Sequence, residues 1–111
     1  MTNKIVVFVT CNSMKEAQRI GRALIERKLV ACANILQAPV HSIYWWKGKV
    51  EVATEILLIL KSSRLRFGAI DSAIRKMHSS DVPEIITLPI AAGSRSYLDW
   101  LSKSVGRAKR R

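Results

Sequence analysis

Val40-His41-Ser42-Ile43-Tyr44-Trp45-Trp46, then Lys47-Gly48, then Lys49-Val50-Glu51-Val52-Ala53-Thr54-Glu55-Ile56-Leu57-Leu58-Ile59-Leu60, is the stretch on which the fold turns. Two runs rich in β-branched and aromatic residues flank a single Lys-Gly pair, the pattern of a hairpin with a two-residue turn. That turn sets the register: Trp46 faces Lys49, Trp45 faces Val50, Tyr44 faces Glu51 and Ile43 faces Val52. Side chains alternate along a strand. One face therefore carries Ile43, Trp45, Val50 and Val52, and the other Tyr44, Trp46, Lys49 and Glu51. Solvated hairpin tips are normally small and polar. This one is expected to be covered, either by folding back onto its own domain or by lying against another subunit.

Outward from the hairpin, Lys4 to Thr10 reads as a buried central strand, apolar on both faces. Ser13-Met14-Lys15-Glu16 is a capping-box signature, and Ala17, Ile20, Ala23 and Leu24 give the helix it opens one apolar stripe. Ala31 to Trp46 reads as one long extended segment with an irregularity at Pro39. Ser62 or Ser63 is expected to open a second helix, whose face is Phe67, Ile70, Ile74 and Met77. A polar loop, His78 to Pro83, leads to a fourth strand, Glu84 to Ile90. Ser94 or Ser96 then caps a last helix striped with Leu98, Leu101 and Val105.

The order is β-α-β-β-α-β with a trailing helix, an α+β, ferredoxin-like pattern. Right-handed crossovers put both helices on one face of an antiparallel sheet, with strand order 4-1-3-2. The first strand is about 23 Å long and the second about 50 Å. Part of the hairpin must therefore project beyond the sheet. An isolated two-stranded ribbon is marginal in water, and a second copy of the chain is the simplest cover.

The 111 residues are expected to form one domain over 1–105, followed by a basic tail over 106–111. The longest apolar run, Ile56 to Leu60, is too short for a bilayer, and the N-terminus lacks the features of a signal peptide. The expected location is the cytoplasm, where two cysteines stay reduced. The net charge of +11 permits weak polyanion binding, but the positive residues are scattered except in the tail. No nucleic-acid motif accompanies them, so nucleic acid is not an expected partner, and neither is a membrane.

No glycine-rich phosphate loop, catalytic triad or zinc-site spacing is legible, so an enzyme is least favoured. The residues with chemistry to offer are Cys11, Cys32, His41, His78 and the carboxylates near them. The first two strands run parallel in this topology. Cys11 then ends one, Cys32 starts the other, and the two thiols lie too far apart to chelate together. Cys32 between two alanines fits a small buried hydrophobe. Cys11, before a helix, fits either an activated thiol or an inert loop cysteine. His41 suits an interface. His78 ends a helix at the same edge as Cys11, near the root of the hairpin; a ligand there and a helix-terminal histidine favouring the dipole are both open. Glu51, opposite Tyr44, suits an anchor across an interface.

Several long stretches together resemble the CutA family of divalent-cation-tolerance proteins. They are Leu29 to Ile35, Ser42 to Glu51, Glu55 to Lys61, His78 to Ile85 and Tyr97 to Leu101. The resemblance implies a ferredoxin-like domain, a homotrimer similar to the PII signalling proteins, and a link to copper and other divalent ions. It names no reaction. The family usually carries His-Pro-Tyr-Glu where this chain has His78-Ser79-Ser80-Asp81, and Val9 and Met77 stand where fuller members have a further Cys and His. The protein so implied is a trimer with no required cofactor. It binds copper or a similar divalent ion weakly, with His78, Cys11, Cys32 and Asp81 as candidate ligands and Tyr44, Trp45, Trp46 and Glu51 at the subunit interface. Two alternatives stand beside it: a small anionic metabolite bound in clefts between subunits, and a structural trimer for protein partners.

Overall fold

The computed structural model describes residues 2–106. Strand β1 (Lys4–Cys11) leads into helix α1 (Met14–Glu26), a short β2 (Cys32–Ile35), β3 (Val40–Trp46) and a long β4 (Lys49–Ser63). A 3₁₀ turn (Arg64–Arg66), helix α2 (Phe67–Met77), strand β5 (Ile85–Pro89) and helix α3 (Arg95–Ser104) complete the chain. Within the sheet the order is β2-β4-β1-β5, and β3 pairs with β4 alone. Every pairing is antiparallel. With β2 and β3 taken as one interrupted strand, this is the expected ferredoxin-like order. The basic tail, from 107 onward, lies outside the described residues.

The hairpin has the register its turn dictates: Trp46 opposite Lys49, Trp45 opposite Val50, Tyr44 opposite Glu51. Lys47 (φ 51°) and Gly48 (φ 78°) both sit in the left-handed region. A type I′ turn needs this at both central residues, because its twist matches that of the strands it joins. The projection is real as well. β1 pairs only with Ile56 to Ser63, so Lys49 to Glu55 have β3 as their sole strand partner. That leaves a two-stranded ribbon about 20 Å long standing clear of the sheet. Its tip does not fold back: Ile43, Trp45, Val50 and Val52 are 72, 73, 57 and 67% exposed.

Two expectations are corrected. The segment from Ala31 to Trp46 is not one strand, because it breaks between Ile35 and Val40. Ile35 faces Leu58 and Val40 faces Glu55, so the four residues 36–39 stand against only two on β4. Pro39 has no N–H to give the ladder, and the chain bulges there. Nor does Ser62 or Ser63 cap the second helix. β4 runs on through Ser63, and the buried Ser62 hydroxyl instead donates to the Leu29 carbonyl at 2.6 Å. Ser13 and Ser94 do cap their helices, accepting from the N–H of Glu16 and of Tyr97.

The core lies between the sheet and two helices. Val7 and Val9 of β1 and Leu58 and Leu60 of β4 meet Ile20 and Leu24 of α1 and Ile70 and Ile74 of α2, all fully buried. That packing holds the C-terminal ends of β1 and α2 side by side. The start of the ribbon lies at the same end.

Candidate functional site

At that end Thr10, Asn12, Tyr44, Trp46, Glu55 and residues His78 to Glu84 wall a cleft of about 500 Å³. The sheet supplies Thr10, the ribbon contributes Glu55 and the two aromatics, and the α2–β5 loop forms the remaining wall. The charge of the walls is distinctive. Glu55, Asp81 and Glu84 are three of the chain's eight acidic residues, and among the described residues no Lys or Arg lines the cleft of a chain with a net charge of +11.

Behind the cleft a hydrogen-bonded knot ties the loop to α1, and Glu16 is its centre. Its Oε1 accepts from the Asn12 N–H at 2.8 Å, and its Oε2 from the Ser79 N–H at 2.8 Å. The capping box thus forms with a difference: the carboxylate reaches one residue further back than Ser13 and also holds a distant loop. Burial pushes the Glu16 carboxyl up, but the Asn12 N–H, the side chain and N–H of Ser79, and the nearby His78 ring outweigh it. The carboxyl is held below its ordinary value.

His78 is the second tie. Its side chain is 1% exposed. Nε2 lies 2.8 Å from the Thr10 carbonyl, which can only accept, and Nδ1 lies 3.0 Å from the Ser80 N–H, which can only donate. The partners therefore assign the proton to Nε2 and leave the Nδ1 lone pair engaged by Ser80. Cys11 completes the group. Its sulfur, a Glu16 oxygen and a His78 nitrogen lie within 4.8 Å of one another. Burial, and then the charges of Glu16 and Glu55, push the Cys11 thiol up to about 12, against the opposing effect of Arg19. Of the two readings open for Cys11, this supports the inert thiol.

The structure brings Cys11 and His78 together in the knot, and Asp81 shares the cleft wall with His78 but not with Cys11. Cys32 is elsewhere. It pairs with Lys61 while Cys11 pairs with Ile56 from the other side of β4, a displacement of five positions, about 16 Å along the strand. Its sulfur lies 3.3 Å from the Asn34 side-chain oxygen. Tyr44 and Trp46 line the cleft, and Trp45 points away from it on the open face of the ribbon. Glu51 stands opposite Tyr44 as expected. Sequence reasoning missed Glu16 as the centre of the knot and Glu55 as a wall of the cleft. The capping box marked Glu16 as a reaching carboxylate, but nothing local marks its bond to Ser79, 63 residues on.

Comparison with known proteins shows what the chain is similar to. The model of the CutA1 divalent ion tolerance protein family matches residues 5–104. The divalent-cation tolerance protein CutA of Archaeoglobus fulgidus is 39% identical over 99 residues, covering 89% of this chain and 95% of that one. Its counterpart in Thermus thermophilus is 42% identical over 101 residues, covering 91% and 97%. The structure of the Thermus protein superposes with a TM-score of 0.90 at 41% identity, over 93% of this chain and 99% of that one. That of CutA1 from Oryza sativa gives 0.92 at 38% identity, over 96% and 97%.

Proposed function

We propose, from the premise that this chain belongs to the CutA1 divalent ion tolerance protein family, that it is a non-enzymatic homotrimer which binds a divalent cation weakly in the cleft at the root of the hairpin. The observation that carries this is the charge of the cleft: three carboxylates, Glu55, Asp81 and Glu84, and no Lys or Arg among the described residues of its walls. Such a wall attracts a cation and opposes the small anionic metabolite otherwise open from the sequence.

The knot behind the cleft supports the reading of weak binding. The imidazole of His78 can ligate through Nδ1 only if Ser80 releases it. The Cys11 thiol must first lose a proton it holds up to about pH 12. A divalent ion would therefore be held through carboxylate oxygens of the cleft walls, Glu55, Asp81 and Glu84. The His78 imidazole would add a nitrogen ligand suited to copper only where Ser80 frees Nδ1. Trimer formation is supported by the uncovered apolar face of the ribbon.

Calorimetry with Cu(II) at neutral pH tests the reading on wild type, His78→Ala and the double variant Asp81→Asn/Glu84→Gln. The double variant should lose at least about tenfold in affinity, the scale of one charge-assisted ligand, and His78→Ala should lose less. Equal binding by all three proteins would remove the cleft as the site.

A further inference from the structure

The cleft at the root of the ribbon is larger and more aromatic than a metal ion requires. A divalent ion with six waters fills about 200 Å³, taking each water at its share of liquid volume. The cleft holds about 500 Å³, a size that suits an organic ligand. Two of its walls are the side chains of Tyr44 and Trp46, 43 and 40% exposed. Their ring faces offer a metal ion no ligand atom, but an aromatic face attracts an organic cation through its quadrupole.

The ribbon's register puts rings and charge together. Side chains alternate along a strand and cross-strand partners share a face. Tyr44 and Trp46 therefore lie on the face that carries Glu55, the partner of Val40, while Trp45 lies on the other. Asp81 and Glu84 stand across the cleft on the α2–β5 loop. The affinity of Trp46 for an ammonium group is visible within the chain itself: Nζ of Lys47 lies 5.9 Å from the centre of its ring, and Lys47 is not a wall of the cleft.

We propose that this cleft takes a short aliphatic polyamine, its ammonium groups paired with Glu55, Asp81 and Glu84 and its methylenes laid on Tyr44 and Trp46. Each primary ammonium carries three N–H donors, and ionised carboxylates only accept. A lone quaternary ammonium has no N–H to give and would leave carboxylates unpaired, so several ammonium groups on one chain fit these walls better. The net charge of +11 opposes a cation at long range. Exposed charges more than about 8 Å apart are largely screened at physiological salt, so the walls decide. The inference rests on the reading of the cleft as a cation site, and not on copper being the ion bound.

Equilibrium dialysis of the full chain with spermidine tests this at neutral pH and constant ionic strength. Wild type should bind one spermidine per chain. Trp46→Leu and Tyr44→Leu should each lose about two- to fivefold in affinity, the range of an exposed cation–π contact, and keep their Cu(II) affinity. Asp81→Asn/Glu84→Gln should lose at least about tenfold, because it removes charge-assisted acceptors. Light scattering is read alongside, and where Trp46→Leu changes mass, Tyr44→Leu decides by the same criterion. No saturable binding by wild type overturns the proposal, as does spermidine affinity unchanged in the ring variants or in the double carboxylate variant. Spermidine affinity that falls in the double variant while Cu(II) affinity holds would sink the metal reading alone. The reverse would sink the polyamine alone.

Discussion

Glu16 shows how one side chain joins local and distant structure. Its carboxylate accepts N–H groups from Asn12, four residues back, and from Ser79, far along the chain. The loop wall of the cleft is thereby fixed to the start of α1. Because the Glu16 carboxyl is held below its ordinary value of 4.5, folding favours its ionised form. As pH falls the unfolded chain binds the proton first, so by linkage the stabilisation is full above about 4.5 and is lost as pH drops through the lower folded value. Glu16→Gln, whose amide presents a donor to one of two donors, should cost about 1–3 kcal/mol at neutral pH. Its stability should also fall less steeply than wild type below pH 4.5. Urea unfolding of both proteins from about pH 7 to about pH 3 measures the difference, and parallel curves would show that Glu16 is not the acid-sensitive tie.

Among the elements, the hairpin is the most strongly specified by sequence. Its turn nevertheless contains a compromise. Lys47 adopts φ 51° in a turn that favours Asn or Asp at that place. A residue with a Cβ in the left-handed region costs about 1–2 kcal/mol, and Asn bears it better. Lys47→Asn should therefore raise stability by about 0.5–1 kcal/mol. Its side chain is at the tip, with Nζ 5.9 Å from the centre of the Trp46 ring. A cation–π contact at an exposed site contributes about 0.5–1 kcal/mol, so a decrease on substitution in urea unfolding would mean that this contact outweighs the turn.

The turn, the register and the alternation were legible because each depends on residues a few positions apart. The break at Leu36–Pro39 and the continuation of β4 through Ser63 were not, because they depend on which strand lies alongside. The site divided in the same way. Topology alone put His78 and Cys11 at one edge. The closed state of the His78 ring, with both nitrogens engaged, depends on backbone groups of Thr10 and Ser80 whose direction no sequence pattern records.

For the whole molecule, the question is what covers the ribbon. Trp45 is 73% exposed within one chain, so truncating it removes little packing from that chain. The loss falls on whatever lies against it. Ile43, Val50 and Val52 share its face, and four such neighbours on a two-stranded ribbon form a continuous apolar strip of the kind that marks an interface. A closed trimer would cover all three strips by symmetry. Light scattering at micromolar concentration should then give three times the 12.5 kDa chain mass, and Tm should rise with protein concentration. Trp45→Lys places a charge on the strip, where a buried charge without a partner is strongly unfavourable. The variant should dissociate toward the chain mass and keep the far-ultraviolet signature of its sheet and helices. Its core, built around Val7, Leu58, Ile20 and Ile74, lies away from the ribbon and remains intact. A wild-type monomer at that concentration would overturn the assembly, as would a Trp45→Lys variant of unchanged mass.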